Sequence, residues 1–198
     1  MLKILLKVVF IFFTSVSICI SEILKEVKIS GNKRISNETV IVLGKIEINS
    51  NYDNDRLNTT LKSLYNSNFF SDINLDLSEG ILSIILTENP IIEDIEITGI
   101  KNSNFTKTLY ENIVLKNRMS FTEDQLLKDI TLIKNILKSN GFYFATVKPS
   151  SEKNVELNSI RLKINVDQGD KARIKKISFI GEKKVKDKKL LEVIASEE

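Results

Sequence analysis

One spacing recurs three times along the chain: apolar-x-x-apolar-x-apolar-x-Gly. It places Leu24, Val27, Ile29 and Gly31 in LKEVKISGN (24–32), and Ile92, Ile95, Ile97 and Gly99 in IEDIEITGI (92–100). The third copy, IKKISFIGE (174–182), holds Ile174, Ile177, Phe179 and Gly181. Self-similarity of this kind marks a chain assembled from repeated supersecondary units. A glycine closing each strand points to a left-handed turn or a close backbone approach rather than to chemistry.

Each copy opens the same order of elements. After Gly31, Ser36 is the N-cap expected for a short helix bearing Val40 and Leu43 and closing near Gly44. The loop NSNYDNDR follows, and Asp53 is the expected cap of a second helix with Leu57, Leu61, Leu64 and Tyr65 on one stripe. Ile73, Leu75 and Leu77 then alternate with Asn74 and Asp76, the pattern of a strand with one buried face. Glu79-Gly80 reads as a tight turn, and ILSIILT (81–87) is apolar enough for a central strand, ended before Pro90.

The second copy follows suit. A helix around 104–115 carries Phe105, Leu109 and Ile113. The next is announced by a Thr122–Gln125 capping box and a Phe121–Leu126 staple, with Leu126, Ile130, Ile133 and Leu137 on its inner face. Asn140-Gly141 closes it. FYFATVK then reads as a strand ended by Pro149, with SIRLKINV (159–166) as its hairpin partner.

The pattern predicts an α+β chain of tandem units, each strand-helix-helix-strand-strand. Each unit would hold a three-stranded mixed sheet covered by two helices on one face. The expected boundaries are 22–90 and 91–170. Residues 171–198 would begin a third unit, whose strand and helix (Asp187 cap; Leu190, Leu191, Ile194) cannot bury a core alone, so the chain reads as cut in mid-domain. Residues 1–21 stand apart. Lys3 and Lys7 precede an uncharged apolar run and small residues, the signature of a secretory signal cut after Ser21. A retained membrane anchor is the alternative. Bulky Ile18 ahead of Cys19 argues against lipid attachment.

Without that segment, 27 basic face 26 acidic groups, and neither His nor Cys remains. Export without disulfides leaves packing to hold the fold. The lack of imidazole and thiol removes His- and Cys-based metal sites and every triad that needs a histidine. Lys outnumbers Arg 24 to 5, a composition unlike the Arg forks that read phosphate, so no nucleic-acid partner is expected. Nor is any cofactor or catalytic residue. Glu88, Glu93 and Asp94 are close in sequence, but nothing places them in a cleft. The basic tract from Lys171 to Lys189 reads as a solvated face. Phe69, Phe70, Phe142, Tyr143 and Phe144 read as core rather than as a stacking surface.

The candidate functional feature is an open sheet edge. With the last strand central and the first beside it, the remaining strand of each unit exposes unpaired backbone groups that can accept another chain. The candidate residues are Asp72, Ile73, Asn74, Leu75, Asp76 and Leu77 in the first unit, and Phe144, Ala145, Thr146 and Val147 in the second. Asn74→Pro is the substitution expected to remove a donor from that edge. Pro90 and Gly169 mark the junctions.

This arrangement resembles the polypeptide-transport-associated (POTRA) domains of outer-membrane assembly factors. The resemblance rests on the three glycine-ended strands, on GFYFATV (141–147) with NFFSDI (68–73) in the same place, and on LTENP (86–90). Asn68 stands where a glycine is usual, Leu86 where the family's first domain has Val, and Gln168 where the first unit has Glu88. It implies a periplasmic array joined to a C-terminal β-barrel in the outer membrane. Such an array receives unfolded outer-membrane protein precursors and docks accessory lipoproteins and periplasmic chaperones. Three functions are thereby set against one another: a polypeptide-binding module of this kind, or of a partner-secretion transporter; an interaction protein such as a division scaffold; and an exported hydrolase, disfavoured by the missing histidine.

Overall fold

The structure, a computed structural model, describes residues 21–173, 175–180 and 189–190. The signal segment, apart from Ser21, and the helix expected after Asp187, apart from Lys189 and Leu190, lie outside them; of the strand expected to end at Gly181, residues 175–180 are described and form no strand. The chain divides into two units, Met1–Asn89 and Pro90–Glu198.

In the first, β1 (Glu22–Ile23) and β2 (Glu26–Ser30) lead to α1 (Asn37–Leu43), β3 (Asn51–Tyr52), α2 (Asn54–Asn66) and the hairpin β4 (Phe70–Ser78)–β5 (Ile81–Glu88). The second runs β6 (Ile91–Thr98), α3 (Ser103–Asn112), α4 (Glu123–Ser139), β7 (Thr146–Asn154) and β8 (Ser159–Asp167). The sheets have the orders β2-β5-β4 and β6-β8-β7. In each, the last strand is central, parallel to the first and antiparallel to its hairpin partner. The α+β reading and its strand order hold.

Two glycines make the parallel crossing possible. Gly31 (φ +87°) and Gly99 (φ +86°) leave the first strand in left-handed backbone, and a Cβ on either would lie 2.0 Å from a carbonyl oxygen, of Leu86 and Val166 respectively. Only a residue without a side chain fits. The repeat reaches further. The Leu24 N–H donates to the Ser50 carbonyl at 3.0 Å and the Asn49 N–H to the Leu24 carbonyl at 2.7 Å. In the second unit, Ile92 with Met119 (2.8 Å) and Arg118 (2.7 Å) repeats both bonds. Asn49 and Arg118 share positive φ, 64° and 69°. These contacts draw the segment before the long helix back onto the first strand, giving the β1–β3 pair in one unit and an Ile91–Ser120 bridge in the other. Two-residue strands have no periodicity, so sequence reading misses them.

Ser36, Asp53 and Thr122 each accept the N–H three residues on, as N-caps do. The capping box at Thr122 is only half made, because the Gln125 amide donates to Asp129 instead (2.9 Å). Asp129 is 1 % exposed and also accepts the backbone N–H groups of Val114 and Leu115. The need arises because α3 ends at Asn112 in extended backbone, short of the expected helix end, which leaves these amides without helix carbonyls. In the first unit Lys45 turns left-handed (φ 52°), and the amides of Lys45 and Ile46 bond Val42 and Ile41. Thr60, placed on α2 as Asp129 is on α4, is buried without such a role, its hydroxyl having no partner among the described residues.

At the end of α4 the Gly141 N–H bonds Lys138 (2.9 Å) and the Phe142 N–H bonds Leu137 (3.0 Å), a Schellman motif with Phe142 packed on the core. Asn68, at φ 59°, takes the glycine's place after α2. The helices cover one sheet face. Leu64, Leu82, Ile84 and Leu86 anchor the first core, and Ile133, Leu137, Ile160, Leu162 and Ile164 the second. Tyr65, expected on the inner stripe, is 41 % exposed, since Thr60 and Leu64 already fill the contact line.

Gly99→Ala is expected to cost at least about 2 kcal/mol, from left-handed backbone plus the clash with Val166. Chemical unfolding followed by amide exchange at Leu162 and Ile164 would show it. Ile130→Ala, a plain core truncation, should cost about 2–5 kcal/mol by the same measurement.

Candidate functional site

The direction of each backbone group on the outer strand decides what an edge can offer. Glu79 (φ 56°) and Gly80 (φ 79°) form a two-residue turn of type I′, closed by the pair Ser78–Ile81. That pair exchanges both hydrogen bonds, and alternation then assigns Asp76–Ser83, Asn74–Ile85 and Asp72–Thr87 to the same class. The Gly80 carbonyl agrees, since it accepts from Lys25 on the opposite side of β5 (2.7 Å). Ile73, Leu75 and Leu77 therefore direct their N–H and C=O groups outward. This corrects the expectation for Asn74→Pro: the Asn74 amide belongs to the internal ladder, and the free donors flank it.

Side chains alternate the other way. Ile73 is buried and Leu75 half-buried toward the helices, while Asp72, Asn74 and Asp76 are exposed on the open face. Beside the edge, Asn54, Leu57, Asn58 and Leu61 of α2 and Asp72, Ile73, Asn74 and Leu75 of β4 line a groove of about 570 Å³. Leu57, Leu61, Ile73 and Leu75 supply its apolar side chains.

The second unit's edge is different. Of its candidates, Phe144 and Ala145 lie in the turn that follows the Schellman motif, and only Thr146 and Val147 belong to β7. Phe144 is 80 % exposed and Val147 is buried. Pro149 does not end the strand; it sits inside it, opposite Ile164. The Asn158 carbonyl accepts the Ile91 N–H on the β6 side (3.0 Å), so alternation turns Ile164 toward β6 and leaves Pro149 facing outward. An edge strand tolerates proline there, because the missing N–H had no partner in the sheet. Beyond Val147 every residue of β7 is exposed, leaving no apolar floor beside it. Among the aromatics, Phe70 belongs to the first core with Phe69 packed against it, Phe142 packs against the second core, and Tyr143, like Phe144, is exposed.

The three acids are structural. Glu88 accepts the backbone N–H groups of Lys33 (2.8 Å), Arg34 (2.8 Å) and Ile35 (3.0 Å), and pairs with the Arg34 guanidinium at 3.0 Å. Burial raises the Glu88 carboxyl, yet the Ile35, Lys33 and Arg34 amides and the Arg34 side chain outweigh it, so it titrates below the ordinary carboxylate range. Glu93 pairs with Arg161 at 2.8 Å, and Asp94 accepts from the Asn117 amide at 3.2 Å. At the junction, the Asn89 N–H bonds Phe69 (2.8 Å), its side chain bonds Asn68 (2.9 Å), and the Pro90 carbonyl accepts from Phe121 (2.8 Å). Each side of the linking bond is thus tied to its own unit. Gly169 has nothing within 4 Å of a Cβ position.

A tandem of α+β units, each closed by a glycine crossing and leaving one sheet edge uncovered, is the class that the fold and edge define. Residues 90–169 match the POTRA family model, described as a surface antigen variable number repeat. Residues 90–169 belong to the POTRA domain family. It is 31 % identical over 196 residues to the outer membrane protein assembly factor BamA of Neorickettsia risticii, which covers 96 % of this chain and 25 % of that protein. The BamA of Neisseria meningitidis serogroup B is 26 % identical, over 85 % of this chain and 21 % of its own length. The chain spans about a quarter of the length of the curated relatives it matches. The N-terminal domain of Omp85 from Thermosynechococcus elongatus shares the fold, with a TM-score of 0.53 at 13 % identity over 76 % of this chain and 64 % of that one.

Glu88→Gln is expected to destabilise the first unit by about 3 kcal/mol at pH 7, the low end for breaking a buried pair. Because the folded carboxyl titrates low, its contribution is complete above about pH 4.5 and fades as pH falls through the folded value. Urea melts of the two proteins should therefore converge in acid.

Proposed function

We propose that the chain is the periplasmic, polypeptide-binding region of an outer-membrane β-barrel assembly factor. It takes up unfolded outer-membrane precursors by strand addition at the free edge of β4. The observation that carries this is the outward row Ile73, Leu75 and Leu77 beside the α2–β4 groove. Backbone groups supply sequence-tolerant bonding, and the groove takes alternate side chains of the incoming strand. The BamA relatives support the wider reading. Export with cleavage after Ser21, a third unit from residue 171, a barrel in the outer membrane, junctions at Pro90 and Gly169, and docking of accessory lipoproteins and chaperones belong to the same proposal. Pro149 makes β7 the guarded edge.

Photocrosslinking from Asn58 to an unfolded barrel precursor tests the reading. Leu75→Pro should cut the yield about tenfold by removing an outward donor and blocking approach, whereas Leu75→Ala should retain most of it. Pro149→Thr should permit new crosslinks from β7. Equal yields for Leu75→Pro and Leu75→Ala would sink strand addition at β4.

A further inference from the structure

Resting on that reading, we infer that the β4 edge selects incoming strands by charge: apolar residues toward the groove, and cationic residues four apart on the open face. The basis is a missing set of partners. On the open face of the second unit, acids of one strand meet bases of the next, Glu93 with Arg161 at 2.8 Å and Glu96 with Lys163 at 3.3 Å. In the first unit Asp72 and Asp76 occupy the same face, exposed, and neither forms an ion pair among the described residues. Their cross-strand neighbours on β5 are Thr87 and Ser83, which carry no charge. Beyond Ser83 in the row of Asp76 stands Lys28 of β2, one strand removed and paired with Glu26 at 3.9 Å, so the position directly beside each carboxylate that remains open is the vacant side of β4, where an added strand would lie. On the helix side the groove is lined by Asn54, Asn58, Leu57 and Leu61, without a basic residue. The occupant is thus an amphipathic strand with Lys or Arg in the row beside Asp72 and Asp76.

The alternative role for edge charges is protective, keeping strands away whatever their composition. The two roles differ in outcome. Three short synthetic strands with one apolar pattern, carrying Lys, Gln or Glu at two open-face positions four residues apart, are titrated against the whole chain by fluorescence anisotropy. Two cross-strand ion pairs should favour the Lys peptide over the Gln peptide by about tenfold, with the Glu peptide weakest. The preference should shrink at high salt and disappear in Asp72→Asn/Asp76→Asn. Equal affinities, or a preference that survives the double variant, overturn charge selection while leaving strand addition standing. A double variant that binds all three peptides more tightly assigns the carboxylates a guarding role and overturns the inference. No binding by any peptide overturns strand addition and the inference together.

Discussion

The first strand of each unit must lie parallel to the last and then leave the sheet across it, and that crossing governs the rest. Gly31 and Gly99 occupy the point where a β-carbon would meet the Leu86 or Val166 carbonyl. Once the first strand holds one side of the central strand, the hairpin partner must take the other. The helices, joined directly after the glycine, cover one face. What remains uncovered is the outer edge of β4 or β7. The open edge is thus a consequence of the repeat, present wherever the glycine crossing is present.

The units differ in how that edge is dressed. β4 keeps its row of outward donors, sets them beside leucines of α2, and carries two exposed carboxylates that form no ion pair among the described residues. β7 interrupts the row with Pro149 and has charged and polar side chains on both faces. The same divergence marks the interiors. Where the first helix ends with a left-handed Lys45, its amides find helix carbonyls; where it ends extended, a buried aspartate replaces them. Glu88 holds the loop after the first strand in one unit only, and Gln168 stands at that place in the other. One scaffold, locally satisfied in different ways, gives two edges of different character.

Much of this was legible in the residues. The glycine spacing, the alternation of Ile73, Leu75 and Leu77, and the caps Ser36, Asp53 and Thr122 are local signals, each set by backbone geometry within a few residues. The misses were long-range or competitive. The aromatic run at Phe142 read as strand, but the Schellman turn at Gly141 holds it outside β7. Pro149 read as a strand end because its tolerance depends on facing an open edge, which only the sheet order reveals. Asp129 drew no reading from the sequence, since nothing local announces the two amides fourteen and fifteen residues away. The donors of the candidate site were assigned to the wrong parity at Asn74, because the turn type that fixes parity depends on the backbone angles of Glu79 and Gly80.

Residue-resolved amide exchange along β4 tests the central claim most directly. In the free protein the amides of Ile73, Leu75 and Leu77 should exchange fast, while those of Asp72, Asn74 and Asp76 stay protected by β5. Adding an unfolded barrel precursor should slow the first set and leave the second unchanged. If the fast and slow sets are reversed, or if the precursor binds without protecting Ile73, Leu75 and Leu77, strand addition at this edge is wrong.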